Sequence, residues 1–390
     1  MNRIDKPIRH LCPNGVEHKT LGQVGEFIRG SGLQKADLRD EGFPAVHYGQ
    51  IHTFYGVYAT ETKSFTDPEI AAKLRHAQPG DLLIATTSED DDAVAKATAW
   101  LGGTGVALSG DAYIYRHNLD PKYMAYFFQS TSFQDQKRRF ISGTKVRRVS
   151  GASLEKIRIP VPPLEVQREI VRVLDKFTEL EAELEAELEA RRAQYEHYRR
   201  ELLNSGDAPG GRMIPLGEIF EMRAGTHIKS AEISDEPTEE KPYPCYGGNG
   251  LRGYVSSYNY DESVIFVGRQ GALCGNVHRA EGKIYATEHA VVVTPKVAVD
   301  MSWAFHKLTE MDLNQYKTKS AQPGLAVGRV KQVEAQYVPI VDQRRHGEVL
   351  DKLDTLVSDI SIGLPAELAA RRKQYEHYRD RLLTFKELKA

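Results

Sequence analysis

Between residues 165 and 203 the apolar positions Ile170, Leu174, Phe177, Leu184, Leu188, Tyr195, Tyr198 and Leu202 recur at intervals of three, four or seven, with no Gly or Pro among them. That spacing predicts one amphipathic helix. At 1.5 Å per residue it would run roughly 55–60 Å, too long to be buried in a single small domain. Elsewhere the pattern shortens. GDLLIATT, GVALSGDAYIYR, ESVIFVGR and IYATEHAVVVTP are β-branched runs between Gly turns and predict short strands, whereas DPKYMAYFFQ and DMSWAFHKL predict short helices.

The same patterns come twice. RRAQYEHYRRELL, starting at Arg191, returns 180 positions later as RRKQYEHYRDRLL with ten of thirteen residues unchanged. PLEVQREIVRVLDKF, from Pro163, answers PIVDQRRHGEVLDKL, from Pro339, sharing Pro, Gln, Arg and the run Val-Leu-Asp-Lys at an offset of 176. TLGQVGEFIRG resembles PLGEIFEMRAG, and GFPAVHYGQI answers KPYPCYGGNG. An internal repeat constrains a fold more than any single motif. The expectation is an α+β protein in which two globular α/β domains are separated by two long helices forming an antiparallel coiled-coil spacer, with a pseudo-two-fold axis. The expected segments are 1–163 (first domain), 164–205 (central helix), 206–341 (second domain) and 342–390 (distal helical region). Gly363 and Pro365 predict a break in the second helical region, with a fresh helix from about 365 to about 385.

Length and charge add limits. A chain of 390 residues suits two or three domains, and a net charge of −2 carries no overall signature of nucleic-acid binding. The three cysteines, Cys12, Cys245 and Cys274, form no CxxC pair, which speaks against a disulfide framework or zinc site. No apolar run approaches the roughly 20 residues of a membrane span, and MNRIDKPIRHL lacks a signal-peptide core, so a cytoplasmic protein is expected. No P-loop, GxSxG or HExxH motif occurs, and the glycine-rich WLGGTGVALSG suits a turn between strands. Asp261, Glu281 and Lys283 loosely match a nuclease pattern, but Glu281 falls in the hairpin-like HRAEGKIYA.

Local charge is more informative. Lys137, Arg138, Arg139, Lys145, Arg147 and Arg148 lie in a stretch without acids, and Lys317, Lys319, Arg329 and Lys331 lie in another at the corresponding place of the second copy. Such clusters, interleaved with Gly, Ser, Thr and Gln, suit phosphate neutralisation and donation to base edges. Glu179, Glu181, Glu183, Glu185, Glu187 and Glu189 make the long helix acidic in its middle, a face that would repel phosphate.

LGQVGEF and LGEIFEM opening each repeat, IPVPPLEVQREIVRVLDKF and VPIVDQRRHGEVLDKL leading into helices, and the duplicated QYEHYR together resemble the specificity subunit of type I restriction-modification systems. The Glu-Ala-Glu-Leu tetrads resemble the subgroup with four-residue repeats in the spacer helix. The resemblance implies a non-catalytic reader of a split double-stranded DNA target, one half-site per recognition domain. It implies docking to two methylation subunits, with restriction subunits joining the full complex. S-adenosylmethionine, ATP and Mg would sit on those partners, with no cofactor in this chain and no membrane partner. DNA contact carries over as regions, whose basic and amide residues are Gln50, Lys63, Lys145, Arg147 and Arg148 in the first domain and Arg269, Gln270, Lys317, Lys319 and Arg329 in the second. Tyr195, Tyr198, Tyr375 and Tyr378 are expected in the partner-docking surface or in the helix seam behind it. Three other readings stay open: a recognition module of another restriction system, a coiled-coil scaffold that binds no specific DNA, and a hydrolase using Asp261, Glu281 and Lys283.

Overall fold

The computed structural model describes residues 12–204, 211–271, 273–318, 323–358 and 362–388. Its longer helices are α1 (Pro121–Gln129), α2 (Thr131–Arg138), α3 (Leu164–Asn204), α4 (Met301–Glu310), α5 (Ile340–Ser358) and α6 (Leu364–Leu382). The chain divides into two compact units, Met1–Glu183 with Leu368–Ala390, and Leu184–Glu367. Among the described residues no helix is long and apolar enough to cross a membrane.

In the first unit a five-stranded sheet has the order Gly25–Arg29, Ala112–His117, Leu82–Ala85, Lys96–Trp100, Tyr58–Ala59. Its middle strand reads LLIA because both faces are covered. Leu82 and Ile84 join a core with the aromatic residues of α1, while Leu83 and Ala85 join a second core with Val46, Ile51 and Val106. Alternation by two residues thus serves two apolar layers, and no polar face is left. Val46 and Val106 belong to the second sheet, ordered Leu38–Arg39, Ser64–Thr66, Phe43–Val46, Val106–Leu108, His76–Ala77.

The second unit repeats the plan with fewer strands. One sheet runs Phe220–Ala224, Ala290–Pro295, Val264–Gly268, Val277–Ala280, the same order as the first four strands above. The other runs Gly250–Val255, Tyr243–Gly247, Lys283–Ala286, Tyr260–Asp261. Each short helix after the sheet starts from an aspartate cap: Asp120 accepts from Tyr123 N and Asp300 from Trp303 N.

The letters shared at the offset of 176 are structural staples. Gln167 is buried; its Oε1 accepts from Asp120 N at 2.9 Å and its Nε2 donates to Pro162 O at 2.8 Å. Gln343 repeats this with Asp300 N at 3.0 Å and Val338 O at 2.8 Å. The aspartate of Val-Leu-Asp-Lys does similar work. Asp175 accepts from Lys122 Nζ and Tyr126 OH, each at 2.8 Å, while Asp351 binds Ser302, Arg279 and His306. Each helix is thereby pinned to the short helix of its unit.

Within the first unit α3 and α6 run antiparallel: Phe177 stacks on Tyr378 with centroids 5.4 Å apart, and Glu181 accepts from Arg372 Nε at 2.6 Å. In α3 the predicted stripe holds at Ile170, Leu174, Leu188 and Tyr195, all buried, but at its end Leu203 rather than Leu202 is buried. The predicted break is present, α5 ending at Ser358 and α6 carrying Pro365 in its first turn, where a missing N–H costs no helical bond.

Candidate nucleic-acid interface

In the first unit the chain leaving the central strand meets the loop before Val149. Thr86 N donates to Asp111 O at 3.1 Å, and Val149 N donates to Thr86 O at 3.2 Å. Thr87 and Ser88 pair antiparallel with Arg148 and Arg147. Ser142 N donates to Arg148 O at 2.9 Å, and Gly143, at φ +90°, lets the loop turn back on itself. Lys145 and Arg148 are exposed and form no ion pair among the described residues. Arg148 borders a cleft of about 330 Å³ shared with Arg29, Asp111 and Tyr113.

The basic stretch does not stay purely basic in space. Residues 89–92, distant in sequence, bring carboxylates to it: Asp91 takes Arg147 Nε at 2.7 Å, and Asp92 lies 3.8 Å from Arg138. Lys137 is buried, its Nζ donating to Asp92 O and Val94 O at 2.9 Å each, and burial pushes its ammonium down to about 8. It braces the fold. Gln50 is also occupied. Its Oε1 accepts from His47 N at 3.0 Å and its Nε2 donates to Ser64 Oγ at 2.7 Å, closing a capping box on the helix Tyr48–Thr53. Lys63 is exposed over the ring of exposed Phe54, 4.7 Å from its centroid.

The second unit builds the same main-chain corner. Arg269 N donates to His289 O at 2.8 Å, Leu325 N to Arg269 O at 2.8 Å, and Thr318 N to Gly324 O at 2.9 Å. Gln270 bridges to Gly324 as Thr87 pairs with Arg148. Position for position, Arg269 therefore stands for Thr86, Gln270 for Thr87, His289 for Asp111 and Gly324 for Arg148. Arg269 Nη1 donates to Glu288 O at 3.3 Å. Lys317 is exposed with its Nζ on Asn314 Oδ1 at 2.8 Å, Arg329 is exposed on the short helix Val327–Val330, and Lys331 is drawn to Glu221 at 3.2 Å. Lys319 lies outside the described residues. Pattern reading missed His289, which touches Gln270, and Glu288 and His227 behind it; the polar triplet TEH opening a strand predicted to be apolar was a signal for Glu288 and His289, and nothing in the pattern pointed to His227.

The tyrosines separate by position in their motif. Tyr195 is buried, its OH 3.0 Å from His306 Nδ1, with the Arg199 guanidinium over its ring, and burial pushes its phenol up to about 12. Tyr375 is buried in the same way, donating to Gln129 Oε1 at 2.8 Å beneath Arg379. These two fill seams within their own units. Tyr198 is exposed, and half-buried Tyr378 carries the stack on Phe177. Asp261 and Lys283, both exposed, face each other across an antiparallel strand pair, and Glu281 accepts from Ser263 Oγ at 3.3 Å; no ion pair among the described residues links the three.

Two units with one strand order, one strand-end corner and one QYEHYR clasp each define a class of internally duplicated chain. The description "type I restriction modification DNA specificity domain" matches residues 13–190 and 212–370, and the chain belongs to that family. It is 50% identical over 208 residues to the EcoprrI specificity subunit of Escherichia coli, covering 52% of this chain and 52% of that one, so the match spans about half the length of that relative. A putative type I restriction enzyme specificity subunit of Haemophilus influenzae is 30% identical over 300 residues, 69% of this chain and 74% of that one. In fold, the chain is similar to the crystal structure of a type I restriction-modification S subunit from M. genitalium, with a TM-score of 0.61 at 18% identity over 94% of this chain and 96% of that one.

Proposed function

We propose that the chain is the DNA sequence-recognition subunit of a type I restriction-modification complex, reading a split duplex target with one half-site per unit. The observation that carries this is the duplicated corner: one main-chain frame, held by equivalent hydrogen bonds, bearing Thr86, Thr87, Asp111 and Arg148 in one unit and Arg269, Gln270, His289 and Gly324 in the other. A shared frame with different side chains is what two half-sites of different sequence require. Exposed Lys145, Lys317 and Arg329 supply the cations that neutralise phosphates, while Arg148 and Gln270, the exposed side chains of the two corners, face base edges. Two methylation subunits dock on the helical regions, with exposed Tyr198 part of one docking surface; restriction subunits join them. The chemistry is theirs: S-adenosylmethionine, ATP and Mg bind to those partners, and this chain is non-catalytic.

The test is methylome sequencing of a methylation-free host expressing the chain with its neighbouring methylation subunit, and each of the two alone. A split motif found only with both is the expected result. A soluble complex that leaves no split motif would favour the scaffold reading.

A further inference from the structure

We propose that Gln270 reads a base pair of the second half-site, with His289 and Glu288 as the residues that position it; this rests on the recognition role proposed above. His289 Nδ1 lies 2.9 Å from Gln270 Oε1, and its Nε2 lies 3.3 Å from Glu288 Oε1. The same Glu288 oxygen is 2.9 Å from His227 Nδ1. The other carboxylate oxygen, Oε2, is buried and has no hydrogen-bond partner among the described residues. Glu288 therefore spends its accessible oxygen on two imidazoles and cannot itself reach a ligand. Its effect is to fix the His289 ring, which in turn fixes the amide of exposed Gln270.

Two features point to a base edge rather than a phosphate. A phosphate clamp gathers cations, but here a carboxylate sits at the centre and repels an anion. A base edge in the major groove offers a set of donors and acceptors that an orienting network can match. With Oε1 turned to His289, the amide presents its N–H pair outward. That suits the O6 and N7 acceptors of guanine better than the mixed donor and acceptor edge of adenine. The neighbouring Arg269, half-buried and tied to Glu288 O, flanks the same edge. In the first unit the equivalent positions carry Thr87 and Asp111, so the two corners present different chemistry from one backbone.

The experiment is methylome sequencing of the complex formed with unaltered chain, Gln270→Ala, His289→Ala, Glu288→Gln and, as the reciprocal control, Thr87→Ala. The first two are expected to keep the first half-site and the spacer while discrimination at one guanine-containing pair of the second half-site falls roughly ten-fold or more. Glu288→Gln should relax the same position less, and Thr87→Ala should affect the first half-site alone. Because Gln270 is exposed, its substitution leaves the core intact, and it decides the matter if another variant fails to assemble. A second half-site unchanged by Gln270→Ala, or relaxation spread over both half-sites, overturns the assignment. Absence of any split motif with the unaltered chain overturns the recognition role, and this assignment with it.

Discussion

The residues that recur in both copies act chiefly by satisfying buried polar groups. Gln167 is the clearest case, because its one amide serves both Asp120 N and Pro162 O. Gln167→Ala is expected to cost about 2 kcal/mol, leaving both groups unpaired, and Gln343→Ala should do the same in the second unit. Urea unfolding followed by fluorescence would show it. His306 gives a pH dependence with a definite sign. Burial holds its pKa below the ordinary value despite Asp351 and Asp354, with Arg279 and Tyr195 also facing the ring. As pH falls through about 6.5 the unfolded chain takes up a proton that the folded ring resists, so stability present above that value is lost below it. A melting temperature lower at pH 5.5 than at pH 7.5, with the difference reduced in His306→Tyr, is the expected outcome; Tyr is what the first unit carries at the equivalent Tyr126. Sequence could show that Gln, Asp and Tyr recur, but not what they bind. The His227, Glu288 and His289 network was illegible because its members are up to 62 positions apart and meet only through sheet register. The basic stretch around Lys137 misled for the same reason: its neutralising acids sit in a loop brought over by strand pairing.

The elements themselves were more legible. Strand runs between Gly turns, aspartate-capped short helices and the break at Gly363 and Pro365 all rest on local chemistry, and the structure places elements where those patterns fall. Helix α3 is the most explicit, yet its acidic middle shows what periodicity leaves out. Glu181 occupies a seam position and is satisfied by Arg372, a pairing that no heptad count reveals. Because Glu-Ala-Glu-Leu is repeated, deleting residues 181–184 brings an identical tetrad into place and keeps a carboxylate there. The helix shortens by about 6 Å and turns by about 40°. With base pairs about 3.4 Å apart, the unspecified spacer of the target is expected to change by one or two pairs while both half-sites stay the same. Methylation mapping that found the spacer unaltered would rule out this length relation.

For the whole molecule, the repeat was visible in the sequence but the partition was not. Reading along the chain puts a boundary where α3 begins, whereas packing draws it at Glu183 and assigns Leu368–Ala390 to the first unit. Contiguity in sequence cannot reveal such an exchange of segments. Tyr375, Leu382 and Leu383 lie in the same buried cluster as Leu82 and Phe128. Ending the chain at Ser358 should destabilise the first unit by roughly 5 kcal/mol, from the loss of three buried side chains. Hydrogen exchange in the strand Leu82–Ala85 would report the loss, although nothing nearby in sequence has changed.

That exchange of segments also orders events during synthesis. The core around Phe128 is translated early, but the aromatic ring that covers it at Tyr375 emerges about two hundred and fifty codons later. At about 5–20 residues per second, the nascent first unit waits roughly 12–50 s with that surface uncovered. An interrupted or truncated translation product would carry an open apolar patch from the start, a natural substrate for chaperones and proteases, so only chains made through their last helix would yield a closed first unit.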